Sequence, residues 1–323
     1  MNMVRALLDS LTDHGMEADD VVVRAHAPKH KDKRVFYCYR GPEIRYVVTA
    51  FAAESPAAAA FGETDQVVRR LRARMGNDSI STSMLHPCCR LEVEGQVCLV
   101  SHFVRPALGA PHLPRLKYRD FRRLLEGSSE WILRFQKRTM VDEPALNAQG
   151  AFRERLASWS ERHGDLLPQE FFGVQRAFLD AWEGLPEKLP HAARHGDYCF
   201  HNYFFDTGDR LHVFDWEFVA EEDCVGCDFF CNLVVYADCF RVFSSGPRSY
   251  AELFETAARR SRYTRLLQES MDAFQRTYAA GAAESRVLLV YAYLYLLTRC
   301  QVEHEIRRRL TAIPELLQVL SRS

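Results

Sequence analysis

Residues 193–217 read ARHGDYCFHNYFFDTGDRLHVFDWE, and this stretch decides the fold that we predict for the chain. Asp197 ends the triplet His-Gly-Asp, Asn202 follows five residues later, and Asp215 lies eighteen residues after Asp197. Between Asn202 and Asp215, two apolar runs flank the turn sequence Asp-Thr-Gly-Asp, which is the pattern of a short β-hairpin. We expect this hairpin to fold Asp215 back beside Asn202.

The pattern resembles the catalytic segment of the aminoglycoside phosphotransferase and choline kinase family, distant relatives of the protein kinases. The match consists of His-Gly-Asp, four residues and Asn, followed by a short hairpin and Asp-Trp-Glu. The resemblance implies an α+β, bilobal protein-kinase-like fold, with an N-lobe of antiparallel sheet plus one helix and a larger, mainly helical C-lobe. His-Gly-Asp alone is merely a turn sequence, whereas the whole constellation favours the functional interpretation.

The resemblance also implies a role for each of the three polar residues. Phosphoryl transfer depends mostly on positioning and on charge neutralisation. Asp197 is the expected catalytic residue, which orients the attacking hydroxyl and accepts its proton. Asn202 and Asp215 are the expected metal ligands, since Mg2+ prefers carboxylate, carbonyl and water oxygens. The donor is then a nucleoside triphosphate, ATP with GTP as the alternative, and the acceptor is a small-molecule hydroxyl substrate.

The length and the order of motifs predict two lobes. With 323 residues, the chain is long enough for two units that each have a core. We predict a nucleotide-binding N-lobe over 1–104 and a C-lobe with the catalytic loop and acceptor site over 116–323. The segment between them, 105–115, is rich in proline and glycine and is the predicted hinge or linker.

Composition argues against several classes of protein. The apolar content of 47% and the charged content of 26% are ordinary for a soluble globular protein. A net charge of −1 gives no bulk attraction to nucleic acid or to an acidic membrane, so neither partner is expected. The longest apolar run, 287–297, is too short to span a bilayer, and the N-terminus lacks the apolar core of a signal peptide. We expect a cytoplasmic protein.

The ten cysteines are expected to be reduced thiols that pack as small hydrophobic side chains. Cys224, Cys227, Cys231 and Cys239 have spacings that also suggest a zinc or iron–sulfur site, and a metal-binding module is therefore an alternative interpretation of this segment. A zinc site commonly uses two separated pairs of ligands. The sequence shows no clear second pair, which makes the metal site the less favoured interpretation.

The N-terminal region has the element order of a kinase-like N-lobe. Its patterns predict a helix over 1–16, strands at 21–23, 35–39 and 44–52, a helix from Pro56 to about Met75, and a hairpin over 88–104. Kinase-like folds often cover the phosphates with a glycine-rich loop. The loop at 28–33 has no glycine, although Lys29, Lys31 and Lys33 could meet phosphates as point charges. A solvated basic loop is an equally good interpretation.

The predicted nucleotide-binding residues are Arg45, Glu63, Ser101 and Phe103. Arg45 is the best candidate for the cation of the third strand, although Thr49 lies nearer the expected position. Spacing places Glu63 on the buried stripe of its helix, and the resemblance implies that it pairs with the strand cation. The resemblance makes the segment from Ser101 to Phe103 a hinge whose backbone contacts the nucleotide base.

The C-terminal region is expected to be helical. Apolar periodicity predicts helices at 118–138, 150–162, 169–183, 229–240, 249–259 and 264–279, and one at 284–302 that continues toward 321. Asp228 begins the fourth of these, and the resemblance implies that it is buried and bonded to the catalytic loop.

The acceptor and the activity itself each leave alternatives. Glu217, Glu221, Glu222 and Asp223 follow the catalytic segment and could attract a cationic acceptor such as an amino sugar or an amino alcohol, or they could form a solvated acidic loop. A sugar-like hydroxyl compound fits equally well. The alternative function is a kinase-like pseudoenzyme that binds nucleotide or a partner without transfer. The missing glycine loop and the absent strand lysine motivate it.

Overall fold

The structure is a computed structural model that describes residues 3–24, 33–110, 116–141, 148–185, 189–242, 249–255 and 261–321. The chain forms two compact units. Unit 1 comprises Met1–Ala107 and Phe205–Glu217, and unit 2 comprises Leu108–Phe204 and Phe218–Ser323. Elements are numbered below in chain order.

Unit 1 is built on an antiparallel five-stranded sheet of order β1-β2-β3-β5-β4. Its strands are β1 (Asp20–Arg24), β2 (Lys33–Arg40), β3 (Glu43–Ala52), β4 (Cys89–Val93) and β5 (Gln96–His102). Its helices are α1 (Met3–Asp13), α2 (Pro56–Met75) and α3 (Ser79–Ser83).

The two faces of this sheet contribute to different clusters of buried side chains. One cluster joins Leu7 and Leu11 of α1 to Val48 and Val100 of the central strands. The other is smaller and contains Ala58 of α2 with Val97 and Leu99 of β5. Alternate residues of β5 therefore serve opposite faces, as the two-residue period of a strand requires.

Unit 2 is mainly helical. Its helices are α4 (Tyr118–Arg138), α5 (Ala148–Arg162), α6 (Gln169–Trp182), α7 (Cys227–Val242), α8 (Arg262–Tyr278), α9 (Ala282–Thr298), α10 (Glu303–Leu310) and α11 (Ile313–Ser321). The core lies around α9, which packs on α5, α6, α7 and α11. Every residue of α9 from Val287 to Tyr295 is buried. No helix in the described part of the chain is both long enough and apolar enough to cross a membrane.

Short strands complete the fold. They are β6 (Pro106–Gly109), β7 (His191–Arg194), β8 (Tyr203–Asp206), β9 (Leu211–Val213) and β10 (Ala220–Cys224). β10 pairs antiparallel with β7, and β8 lies between β6 and β9. The turn between β8 and β9 is held by Asp206, whose Oδ1 accepts the amides of Gly208 at 2.8 Å and Arg210 at 2.9 Å.

The mixed α+β class predicted from the sequence is confirmed, with an antiparallel sheet in the N-terminal region and helices in the C-terminal region. The hairpin of 205–217 falls in unit 1, whereas the sequence analysis placed it in the second domain. The reason is a contact within unit 1, where the Leu85 amide donates to the Val213 carbonyl at 2.7 Å.

Pro106–Gly109, within the predicted linker, is a strand, and a Cβ on Gly109 would lie 2.8 Å from the Phe204 Cβ, so the strand depends on a glycine at a close approach. Two helix predictions are wrong in detail. The helix expected at 249–259 is a 3-10 turn over Tyr250–Phe254, and 256–259 lie outside the described residues. The helix expected to run from 284 toward 321 is three helices, α9, α10 and α11.

Candidate functional site

The candidate site in unit 2 is the loop that follows β7. β7 is held in register by β10, with Ala192 opposite Asp223 and Arg194 opposite Ala220. Arg194 also forms an ion pair with Asp223, and both side chains are largely buried. This pairing fixes the point at which the chain leaves β7 and enters the loop that starts at His195.

Asp228, at the start of α7, anchors that loop by accepting hydrogen bonds from two of its backbone N–H groups. Its Oδ2 accepts the backbone N–H of His195 at 2.6 Å, and its Oδ1 accepts that of Gly196 at 2.9 Å. The side chain is only 2% exposed, and burial raises the pKa of the Asp228 carboxyl to about 6. The expected burial of Asp228 and its bonding to the loop at His195 and Gly196 are confirmed.

Gly196 makes the turn that presents Asp197. Its φ of +83° lies in the left-handed region, and an added Cβ would meet the Phe218 carbonyl oxygen at 2.3 Å. The Gly196 carbonyl accepts two hydrogen bonds from α9 and its end, at 2.6 Å from the Tyr295 hydroxyl and at 2.9 Å from Arg299 Nη1. The loop is therefore held both by Asp228 of α7 and by Tyr295 and Arg299 at the end of α9.

The Asp197 carboxylate has one partner on each oxygen. Asn202 Nδ2 donates to Oδ2 at 3.0 Å and to the Asp197 backbone carbonyl at 2.8 Å. Arg299 Nη1 lies 2.9 Å from Oδ1. The backbone N–H of Asp197 donates to His195 Nδ1 at 3.2 Å, which gives the buried histidine a structural contact within the loop. The carboxylate keeps 25% of its surface exposed, so a small molecule can reach it.

Asn202 and Asp197 are thus brought together as the sequence suggested. Asn202 uses its nitrogen for both bonds to Asp197, and among the described residues its side-chain oxygen accepts no hydrogen bond, which leaves it for another ligand. That oxygen suits Mg2+, which takes amide and carboxylate oxygens.

Asp215 belongs to unit 1, and its predicted position beside Asn202 stays a prediction. It follows β9, and its side chain is exposed. Its φ of 65° is unusual for a residue other than glycine. Glu94 and Asp209, which share a positive φ, lie in hairpin turns, whereas Asp215 follows a strand end. Strain of this kind tends to collect at functional positions.

The predicted nucleotide-binding residues all lie in unit 1. Arg45 is exposed on β3 and has an ion pair with Glu43 at 3.4 Å. Glu63 is exposed on α2, so its expected burial is wrong. The buried stripe of α2 instead passes through Val68 and Leu71, which are completely buried.

Ser101 lies within β5, opposite Val47 of β3. Phe103 directly follows that strand, and its backbone N–H donates to the Arg45 carbonyl at 2.9 Å. The backbone N–H of Phe103, in the predicted hinge, is therefore already used by β3. Of the basic loop, Lys29 and Lys31 lie outside the described residues, and Lys33 is in β2.

Two residues of the site, Arg299 and Arg194, were not predicted from the sequence. Arg299 directly follows the last residue of α9, and 103 positions separate it from Gly196. A charged residue at the end of a strongly apolar helix is a sequence signal, but nothing in the sequence indicates its partner. Arg194, although it borders the motif, was also overlooked.

The cysteine segment around Cys224–Cys239 shows no grouping of metal ligands in the part of the chain that the structure describes. All ten cysteines are free, and six of them are buried. Within the described ranges, no three or more His, Cys, Asp or Glu side chains are grouped to hold a metal ion. Burial raises the pKa of the Cys199 thiol to about 12, which fits a thiol packed as a small hydrophobic group.

No protein-family model and no curated protein matches the sequence. Solved structures do match in fold. Aminoglycoside phosphotransferase APH(3'')-Id from Streptomyces rimosus, in complex with ADP and streptomycin, is 14% identical over 91% of this chain and 99% of that chain, with a TM-score of 0.55. Choline kinase LicA from Streptococcus pneumoniae is 10% identical over 99% of both chains, also with a TM-score of 0.55. The ADP-bound aminoglycoside phosphotransferase APH(2'')-Ib is 14% identical over 97% of both chains, with a TM-score of 0.52.

The chain therefore has the kinase-like fold of the aminoglycoside phosphotransferases and choline kinase over nearly its whole length. The resemblance stated from the sequence is confirmed at the level of the fold.

Proposed function

We propose that the protein is a small-molecule kinase that transfers the γ-phosphoryl group of ATP to a hydroxyl of its substrate. The observation that carries the proposal is the Asp197 carboxylate, which is partly exposed and held between Asn202 and Arg299 on a loop anchored by Asp228. The fold supports it, since the structural neighbours are small-molecule phosphotransferases and two of them contain ADP.

Asp197 acts as the base of this reaction. The acceptor hydroxyl donates a hydrogen bond to the carboxylate, the hydroxyl oxygen forms a bond to the γ-phosphorus, and the bond from that phosphorus to the bridging oxygen of ATP breaks. The proton passes to Asp197, and ADP leaves with the electron pair. The hydrogen bond from Asn202 Nδ2 to Oδ2 sets the direction of the carboxylate, and the bond from the same nitrogen to the Asp197 backbone carbonyl holds Asn202 in place.

Asn202 and Asp215 would hold Mg2+. The side-chain oxygen of Asn202 and the exposed carboxylate of Asp215 are each oxygen donors of the kind that this ion prefers. When bound, the ion would neutralise negative charge on the triphosphate.

The nucleotide is assigned to unit 1. We propose that the backbone at Ser101 and Phe103 contacts the base of ATP or GTP. Arg45 and Glu63 are the residues proposed to lie at the phosphates of the nucleotide. Because the Phe103 amide is already bonded to the Arg45 carbonyl, the base contact from this residue would come from its carbonyl.

The test is Asp197→Asn in an ADP-release assay with a panel of small hydroxyl compounds. Loss of the base should lower turnover about a hundredfold to ten-thousandfold. Asp180→Asn removes an exposed carboxylate from α6 and should leave turnover unchanged. Equal melting temperatures of the wild type and Asp197→Asn would show that folding is intact, and turnover retained by Asp197→Asn would refute the assignment.

A kinase-like protein that binds nucleotide without transfer is the second candidate. Two observations favour it: Arg299 already neutralises Asp197, and Arg45 pairs with Glu43 rather than with Glu63. Nucleotide binding with no Asp197-dependent ADP release from any acceptor would support this candidate.

A further inference from the structure

Three arginines of unit 2 surround Tyr295 beside the Asp197 carboxylate. The guanidinium carbons of Arg155 and Arg194 each lie 5.5 Å from the centre of the Tyr295 ring, and that of Arg299 lies 5.9 Å from it. Tyr295 in turn donates its hydroxyl to the Gly196 carbonyl, one residue before Asp197. Tyr295 therefore links the three guanidinium groups to the loop of Asp197, and Arg299 is the one that contacts the carboxylate.

Arg299 has hydrogen-bonding capacity that the protein does not use. An arginine guanidinium has five N–H donors in a planar fork. Among the described residues, only Nη1 of Arg299 has partners, which are Asp197 Oδ1 and the Gly196 carbonyl. The Nη2 and Nε donors remain available, and the side chain is 22% exposed.

The Phe218 ring fixes the orientation of this guanidinium. The guanidinium carbon of Arg299 lies 3.9 Å from the centre of the Phe218 ring, and Phe218 itself is 39% exposed. Because the stacking restricts the side chain before any ligand binds, little further rotamer entropy is lost on binding. Arg299 is therefore a prearranged donor at the edge of the site.

Two of the three acidic residues of the neighbouring strand β10 have positively charged or histidine partners. Asp223 pairs with Arg194, and Glu222 lies 3.2 Å from His191 Nδ1. Arg155 is exposed on α5 and has no carboxylate partner among the described residues. Arg299 pairs with Asp197 and Arg194 pairs with Asp223, so Arg155 is the one of the three arginines that forms no ion pair with a described carboxylate.

The geometry points to an acceptor that carries an anionic group, a carboxylate or a phosphate, a few bonds from the hydroxyl that is phosphorylated. Arg299 binds that group through Nη2 and Nε, and Arg155 supplies the second cation. This inference rests on the proposed function and names the substrate class of the same site. It differs from the cationic acceptor that the acidic residues after Asp215 suggested.

The charges also balance during the proposed transfer. As the hydroxyl proton moves to Asp197, the carboxylate becomes neutral and Arg299 loses its counter-charge. An anion on the acceptor would then take over this role. A cationic acceptor would instead be repelled by Arg299 once Asp197 is protonated. Such like-charge repulsion is a means by which a binding site rejects the wrong substrate.

Matched acceptors test the inference in the ADP-release assay with MgATP. One series is glycerol, glycerate and glycerol 3-phosphate, and a second is glucose, gluconate and glucose 6-phosphate. Choline and streptomycin are the cationic acceptors in this comparison. In at least one series, the anionic compound should exceed its neutral mate about tenfold to a hundredfold in kcat/KM, the range for hydrogen bonds to a charged group. The carboxylate and phosphate members show which anion is preferred.

Variants then assign the effect to the two arginines. Arg155→Gln should raise KM for the anionic acceptor about tenfold and leave the neutral mate unchanged. Arg299→Gln should raise the same KM and also lower kcat, since Arg299 contacts Asp197. Arg299→Lys keeps the charge without the fork and should restore part of the binding. Arg153→Gln, an exposed neighbour on α5, is the matched control and should change neither constant.

The outcomes separate this inference from the proposed function. Asp197-dependent ADP release that favours neutral or cationic acceptors would overturn the anionic acceptor and keep the kinase. If no acceptor gives turnover, the binding of the acceptors is tested instead through the melting temperature, measured with Mg2+ and a non-hydrolysable ATP analogue present. A rise with the anionic compounds alone, lost in Arg155→Gln and Arg299→Gln, would support the anion site while the transfer fails. No such rise would overturn the anion site as well.

Discussion

Gly196 holds a backbone conformation that other residues adopt only with strain. Its φ is +83°, and a Cβ at this position would lie 2.3 Å from the Phe218 carbonyl oxygen and 2.6 Å from the Phe218 Cβ. We expect Gly196→Ala to destabilise the chain by about 1–3 kcal/mol from backbone strain alone. The displaced loop should also move Asp197 and lower turnover. Urea unfolding and the ADP-release assay measure the two effects.

Gly173→Ala is the control for this prediction. Gly173 lies in α6 of the same unit, and no atom would lie within 4 Å of its added Cβ. Alanine is a better helix former than glycine, so this variant should be neutral or slightly stabilising. Equal unfolding curves for the two variants would show that the left-handed turn at Gly196 is not needed.

Asp228 gives the free energy of unfolding a specific dependence on pH. Burial raises the pKa of its carboxyl from 3.8 to about 6, so the folded chain binds this proton more tightly than the unfolded chain does. The stabilisation from this group is complete below pH 3.8 and is lost as the pH rises to about 6. The wild type should therefore lose stability relative to Asp228→Asn over this interval.

Asp228→Asn should also be less stable than the wild type by about 1–3 kcal/mol, because asparagine has one acceptor oxygen for the two amides of His195 and Gly196. Urea unfolding at a series of pH values measures both effects, with Asp180→Asn as an exposed control. A difference between wild type and Asp228→Asn that grows with pH would contradict the assigned direction.

At the scale of elements, α2 depends on a local cap. Ser55 Oγ accepts the Ala58 amide at 3.1 Å and thereby satisfies one of the free donors of the first turn. Ser55→Ala should cost about 1 kcal/mol of stability. Ser158→Ala, at an exposed position inside α5, is the control and should change little. Chemical unfolding of the whole chain measures both, and an unaltered midpoint for Ser55→Ala would show that the cap contributes nothing.

Elements with strong local signals are predicted well from the sequence. The pair Ser55-Pro56 marks the start of α2, and the helix indeed spans Pro56–Met75. Gly95 marks the turn between β4 and β5, where its φ of 71° suits glycine. In each case the residues that define the element are close together in sequence, so the pattern contains the information.

Elements that depend on distant partners are missed. β10 has the acidic sequence AEEDC, and its register comes from β7, where Ala192 lies opposite Asp223.

The break before α11 did have a local sign, since Pro314 lies in its first turn, where a missing N–H is tolerated.

The residues of the candidate site likewise divide into those that are close in sequence, which were predicted, and one that is distant in sequence, which was not. Asp197 and Asn202 lie in one motif and were identified together, whereas Arg299 reaches the site only through the packing of α9. The exposure of Glu63 was also not predicted, because spacing alone does not give the rotation of α2 about its axis.

At the scale of the whole molecule, average properties conceal the charge distribution that matters for function. The net charge of −1 indicates no preference for charged ligands. However, three arginines lie around Tyr295, and one of them, Arg299, contacts the Asp197 carboxylate. Substrate selection by such a site follows from local groups, and the fold alone does not determine it.

Nucleotide binding by the whole chain is the last prediction. A ligand that binds only the folded state raises the melting temperature, and at 100 times Kd the stabilisation is about 2.7 kcal/mol. We expect ATP or GTP to raise the melting temperature of the wild type by several degrees when Mg2+ is present, and much less when it is absent. Asp215→Ala should lose the magnesium-dependent part, because it removes the exposed carboxylate proposed to hold the ion.

Asp180→Ala controls for the loss of an exposed carboxylate elsewhere and should keep the full rise. The comparison of ATP with GTP identifies the donor. A magnesium-dependent rise that survives in Asp215→Ala would exclude Asp215 as the metal ligand and leave Asn202 as the remaining proposed one. If neither nucleotide changes the melting temperature at millimolar concentration, the nucleotide assignment to Arg45, Glu63, Ser101 and Phe103 is wrong, since a site with Kd well below that concentration must stabilise the folded chain.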